Sequence, residues 1–159
     1  MRITVAAVGK LKEQYWRDAV KEYTKRLGAY CRLEIYEAAD EAFSEGLSAA
    51  EEEQIKAREW HRLARYLRAG TYLVALDVRG EEVSSEQLSA RLDNLILAGR
   101  SDITFLIGGT LGLPEEALKQ ANWRLSFSKM TFPHQLMRVI LLEQIYRAFK
   151  ISKGEPYHR

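Results

Sequence analysis

The chain has 159 residues, 47% of them apolar, and a net charge of +2. That is the size of one domain with enough apolar content for a single core, and no global basic field announces a nucleic-acid partner. Charge is nonetheless unevenly placed: residues 37–53 carry seven acidic side chains and no Lys or Arg, whereas residues 129–159 carry six basic side chains against two acidic ones. The basic end suits a local anionic partner and, equally, a solvated helix end and tail. Cys31 is the single cysteine, which excludes an intrachain disulfide and a Cys/His zinc spacing. The start, MRITVAAVGK, is too short in its apolar part for a secretory signal, and no apolar run approaches the roughly 18 residues a membrane helix needs. The expectation is a cytoplasmic protein with neither a metal site nor a membrane attachment.

In chain order, residues 3–8 are an apolar run ending at Gly9, a buried first strand. Tyr15, Trp16, Ala19, Val20, Tyr23 and Leu27 follow at helical spacing, with Gly28 placed to terminate the helix. Residues 31–38 alternate Cys31, Leu33 and Ile35 with Arg32, Glu34 and Tyr36, which predicts a strand with one wetter face. An acidic loop containing Gly46 comes next. Ser48 with Glu51 reads as a capping box, and its helix should run to about residue 69 with Ile55, Leu63 and Leu67 as apolar contacts. Residues 71–78 are a near-continuous apolar run, as in a strand covered on both faces, and Arg79-Gly80 reads as a turn. Ser84 with Gln87 is a second capping box, opening a helix through Leu88, Leu92, Leu95 and Ile96. Residues 102–107 are another buried strand, followed by the glycine turn GGTLG, a short helix opened by Pro114, and a last short strand at 123–127. The polar turn SFSKMTF then feeds through Pro133 into a long helix, apolar on most sides, that runs to about residue 150. Strands alternating with helices predict one α/β domain: a mostly parallel sheet with helices on both faces.

Ligands in such sheets bind beyond the carboxyl ends of the strands. Residues 76–80, 107–113 and 126–132 each follow a predicted strand and can converge there. The glycines at 108, 109 and 112 let a backbone approach a ligand, or simply make a tight turn. Asp77 suits a ribose hydroxyl or a turn cap. On the last helix, Arg138 falls between Ile145 and Phe149 with His134 one turn earlier. A buried arginine needs a partner, so Arg138 is either half of a structural ion pair, with Asp77 or Asp102, or an anion or nucleobase contact. Glu143 and Arg147 form an i,i+4 pair in the favourable order. His134, just after Pro133, reads as a helix-capping residue rather than a general base. The ending Pro156-Tyr157-His158-Arg159 is a frayed terminus or a set suited to base stacking and phosphate contact.

The strings IGGTLGL, LSFSKMTFPHQLMRVILLEQIYRAFKI and GEPYHR, in that order, resemble the RlmH family, 23S rRNA pseudouridine-N3 methyltransferases of the SPOUT class. The resemblance covers the whole chain and is most specific in its C-terminal half. It implies a deep C-terminal trefoil knot, which periodicity cannot show and which departs from the general avoidance of knots. It implies S-adenosylmethionine as cofactor, held by Leu76, Gly108, Gly109, Phe127, Ser128, Lys129, Met130, Thr131 and Phe132. It further implies a homodimer with the last helix in the interface, the tail of one subunit completing the other's pocket, and 23S rRNA of the helix 69 region in assembled ribosomes as partner. Within that scheme Arg138 is the candidate to stabilise developing negative charge, His158 the candidate proton acceptor and Tyr157 a stacking surface. The competing expectations are a non-catalytic α/β RNA- or nucleotide-binding module and a flavodoxin-like domain, the latter disfavoured because no phosphate-type loop follows the first strand.

Overall fold

The computed structural model describes residues 1–157. Five strands, β1 (Arg2–Val8), β2 (Arg32–Ala38), β3 (Tyr72–Glu82), β4 (Asp102–Ile107) and β5 (Trp123–Ser126), alternate with five helices, α1 (Gln14–Leu27), α2 (Ala49–Ala64), α3 (Ser85–Leu97), α4 (Glu115–Gln120) and α5 (His134–Ser152). The strands form one sheet in the order β2-β1-β4-β3-β5, and every pairing is parallel. Parallel strands require crossover connections, which the helices supply, and the expected α/β architecture is what forms. Among the described residues, no helix is long and apolar enough to cross a membrane.

Side-chain alternation explains why both faces are covered. On β1, Ile3, Val5 and Ala7 join a core with Leu88, Leu92, Leu141, Leu142 and Ile145, while Ala6 and Val8 join a second core with Trp60, Leu63, Ala117 and Leu118. Helix α5 lies against both α1 and α3 on the first face, and the Ser89 hydroxyl donates to the Ala148 carbonyl at 2.7 Å. Both expected capping boxes are present, Ser48 with Glu51 and Ser84 with Gln87.

Two boundaries differ from expectation. Helix α2 stops at Ala64 rather than near 69, because Tyr66 and Leu67 turn their N–H groups back to Leu63 and Ala64 and the Tyr66 ring stacks on Tyr36 of β2, 4.7 Å between centroids. Arg79-Gly80 does not end a strand. Residues 77–80 bulge out of the ladder, with the Asp77 carboxylate accepting from the Arg79 N–H at 3.2 Å, and the strand then resumes: Leu76 and Glu81 both face Leu125. A turn dipeptide and a bulge have the same local chemistry, so the sequence does not separate them. Ile96, expected as an apolar contact, is 39% exposed.

The C-terminal helix is uneven. Arg138, Leu141, Leu142, Ile145, Ala148 and Phe149 are buried, whereas Leu136, Val139 and Ile140 remain half-buried. Leu142, fully buried among α1, α3 and the sheet, tests how far α5 carries the core: Leu142→Ala is expected to cost about 2–5 kcal/mol, read as a lowered urea midpoint with unchanged slope.

Candidate functional site

A cavity of about 860 Å³ lies beyond the carboxyl ends of β3, β4 and β5, within the usual size of a small-molecule site. Its walls come from residues 76–79, 107–113 and 127–133, the three loops expected from sheet geometry. His134, Gln135 and Met137 of α5 and Lys56 of α2 complete it.

Each wall has a local reason for its shape. The glycine loop doubles back on itself: the Gly112 N–H donates to the Gly109 carbonyl at 3.0 Å, and a Cβ on Gly108 would sit 2.5 Å from the Gly112 carbonyl carbon. Only glycine fits at 108, so the tight-turn reading and the close-approach reading hold together. The third wall is a hydroxyl-stapled turn. The Ser126 Oγ lies 3.2 Å from the Val78 carbonyl and 2.9 Å from that of Ser128, and the Ser128 Oγ accepts from the Met130 N–H at 3.0 Å. Of the residues expected to hold the cofactor, Leu76, Gly108, Gly109, Phe127, Ser128, Met130, Thr131 and Phe132 line the cavity. Lys129 does not: it occupies the apex of the Ser128–Met130 turn and is exposed.

Asp77 caps its own turn. It also accepts from Arg124 Nη2 at 2.6 Å and Nε at 3.1 Å. Burial opposes its charge, but Arg124 and the Arg79 N–H hold it below the usual carboxylate range.

Arg138 does not line the cavity. It is 1% exposed, and its guanidinium donates to the Glu37 carboxylate at 2.7 Å, the Gly9 carbonyl at 2.6 Å and the Val8 carbonyl at 3.2 Å. It is therefore the structural ion pair weighed from the sequence, but with Glu37 rather than Asp77 or Asp102; Asp102 instead meets Thr71 and Arg2. Glu37 is the next-to-last residue of β2, at the same end of the sheet, and only the strand order brings it to α5.

His134 does not cap α5. The N-cap is Pro133, with no side-chain cap bond. The imidazole lines the cavity, and its Nδ1 is buried without a hydrogen-bond partner among the described residues. Burial first, and then the Arg138 guanidinium, lower its pKa below the ordinary histidine value.

Tyr157 packs on the flank of α5, away from the cavity. Its hydroxyl donates to Glu143 at 3.1 Å, its ring meets Tyr146 edge-on at 4.9 Å, and Arg147 lies over it at 4.7 Å. Burial, then Tyr23 and Glu143, push its pKa up to about 12. The ten residue steps from Leu136 to Tyr146 span about 15 Å of helix, so the Tyr157 ring, packed on Tyr146, stands apart from its own chain's cavity. His158 and Arg159 lie outside the described residues.

Glu59 was not foreseen. It is 4% exposed, accepts from the Glu41 N–H at 3.0 Å, and backs Gly109, whose added Cβ would be 3.1 Å from its carboxylate. Burial, with Asp40 and Glu41 nearby, raises its pKa. Its signal was present, since Glu59 shares the i, i+4 stripe of Ile55 and Leu63. Among the described residues, no group of three or more His, Cys, Asp or Glu could hold a metal ion.

Comparison with known proteins adds the family. The pattern described as "Predicted SPOUT methyltransferase" matches residues 1–158. The chain is 55% identical over 159 residues to the ribosomal RNA large subunit methyltransferase H of Acetivibrio thermocellus, covering 100% of both. It is 57% identical to the protein of the same name from Bifidobacterium adolescentis, again covering 100% of both. Two solved structures share the fold: a probable methylase family protein from Haemophilus influenzae Rd KW20 (TM-score 0.50, 10% identity, 99% of this chain and 70% of that one), and one described as giving structural insights into the 2-OH methylation of C/U34 on tRNA (TM-score 0.51, 16% identity, 97% and 98%). With three strand-end loops closing on one cavity and a family match over nearly every residue, the chain belongs to the SPOUT methyltransferase family, within its RlmH group.

Proposed function

We propose that this chain is a cytoplasmic enzyme that methylates N3 of a pseudouridine in the helix 69 region of 23S ribosomal RNA, acting as a homodimer on assembled ribosomes. The observation that carries this reading is the cavity: three adjacent strands end on one volume with a glycine floor and the apolar walls Leu76, Phe127 and Phe132. SPOUT methyltransferases generally use S-adenosylmethionine, and these residues suit it, with flat apolar surface for a purine and close backbone at Gly108 and Gly109 for polar groups. Bound there, it would supply an electrophilic methyl group. The names of the relatives support ribosomal RNA as substrate. A near-neutral chain has little general affinity for RNA, since phosphate contacts dominate that affinity, which favours a large structured target.

The residues divide the work. Leu76, Gly108, Gly109, Phe127, Ser128, Met130, Thr131 and Phe132 hold the cofactor and align the two reactants, a contribution that can supply much of a transfer rate. Arg138 acts from behind the cavity, fixing the first turns of α5, because its cation is already engaged by Glu37. A trefoil knot at the C-terminal side is supported by the close backing of the β5 loop on the β3 bulge: Ser126 meets Val78, and a Cβ on Gly80 would be 2.6 Å from the Arg124 carbonyl oxygen. The dimer is supported by the half-buried stripe of Leu136, Val139 and Ile140 on α5. The distance of Tyr157 from its own cavity favours Tyr157 and His158 serving the cavity of the partner.

Gly108→Val is expected to force the glycine loop open and weaken S-adenosylmethionine binding at least about tenfold, a loss of 1.4 kcal/mol or more, in calorimetric titration; wild-type affinity in a folded variant would contradict the assigned floor. Mixing Gly108→Val subunits with subunits truncated after residue 154 is expected to restore methylation of ribosomal RNA to about a quarter of the wild-type rate, because half the dimers are then mixed and each has one complete site. Mass spectrometry of 23S rRNA from cells lacking the protein, treated with the mixture, provides the readout, and a tail acting within its own subunit gives no recovery.

A further inference from the structure

His134 and Arg138 stand one turn apart on α5, and each leaves one buried nitrogen without a partner among the described residues: His134 Nδ1 and Arg138 Nε. Both side chains close on the same point. The position a Gly9 Cβ would occupy is 3.0 Å from His134 Cε1, 3.5 Å from His134 Nδ1 and 3.9 Å from Arg138 Nη2. The guanidinium carries only donors. The positive charge of Arg138 acts on the ring and favours a lone pair over an N–H at the buried Nδ1, which puts the proton on Nε2. His134 lines the cavity, and Nδ1, not Nε2, is its buried unpartnered ring nitrogen among the described residues, so Nε2 is the nitrogen left open to the cavity.

We propose that His134 is a neutral, Nε2-protonated hydrogen-bond donor directed at the substrate base, and that Arg138 is the positioning residue that sets its tautomer. The assignment rests on the proposed function and deepens it. The cavity's cofactor walls come from the ends of β4, β3 and β5, whereas His134 sits against Gly9 at the end of β1, the margin left to the second reactant. As an imide loses its N–H proton to solvent, negative charge grows on the flanking carbonyl oxygens. A fixed donor in a partly desolvated site stabilises that charge, and the imidazole keeps its own proton throughout. Protonation to imidazolium is opposed by burial and by Arg138, and favoured only by Asp40 in the segment after β2; Glu37, the nearest acid of β2, is already bonded to Arg138 and to the Leu11 N–H.

The test uses the full chain. Long-range proton–nitrogen correlation spectra near neutral pH are expected to show His134 as the Nε2–H tautomer; an Nδ1–H tautomer or an imidazolium overturns the assignment. His134→Gln places an amide N–H near the Nε2 position, and His134→Asn places one near Nδ1. Both should fold and bind S-adenosylmethionine as the wild type does. His134→Asn is expected to lose about 10²–10³-fold in the rate of ribosomal RNA methylation, the usual cost of one such donor, while His134→Gln recovers most of it. The rate–pH profile of His134→Gln should keep the wild-type shape; a limb missing from it means that the imidazole takes the proton, and overturns the donor role. If the wild type itself leaves ribosomal RNA unmethylated, the proposed function falls. If the wild type is active and His134→Asn matches it, only the His134 assignment falls.

Discussion

The buried guanidinium of Arg138 is the constraint on which the rest of the site depends. A cation withdrawn from water is costly unless its donors are met, and here they reach two carbonyls at the end of β1 and the carboxylate that closes β2. Val8 and Gly9 lie past the last β1–β4 pair, Ala7 with Ile107, and the arginine satisfies their carbonyls while tying α5 to two strands at once. Gly9 makes the approach possible. It has a φ of +91°, and a side chain there would collide with the His134 ring. The first turn of α5 is thereby fixed as a cavity wall although it follows an irregular loop.

The remaining walls are fixed by backbone proximity rather than by charge. Gly108 lies against Gly112, and Gly80 against the backbone of Arg124 and Leu125. At both places two chain segments approach more closely than any Cβ allows. Loops held this way need little ordering when a ligand arrives, which reduces the entropic cost of binding. The Ser126 and Ser128 hydroxyls do the same for the third loop. The preorganised part of the site is therefore mostly main chain, and side chains with titratable groups sit at its margin.

This division explains what the sequence made legible. Periodicity located all five strands and all five helices, and the two capping boxes fixed the starts of α2 and α3 to the residue. The rule that ligands bind at strand ends then picked the three loops that line the cavity. Pairings across the sheet were not legible, because strand order decides them. Glu37 meets Arg138 only because β1 lies between β2 and β4, and Asp77 is taken by Arg124 only because β5 returns beside β3. Lys129 was misplaced for a more local reason: a run of residues along a wall need not all face it, and the Ser128–Met130 bond turns the lysine outward.

The position of the tail carries the last step. Tyr157, Tyr146, Tyr30 and Phe149 form a cluster with Arg147 and Lys150 near the carboxyl end of α5, while the cavity lies at its amino end. A straight helix keeps the two about 15 Å apart. In the dimer proposed above, an antiparallel pairing of two α5 helices would set the carboxyl end of one beside the amino end of the other. The same pairing would cover the half-buried Leu136, Val139 and Ile140. On that proposal, burial of an apolar stripe and completion of a site would be one event, and a small α/β domain would gain through association a surface that its own fold does not build.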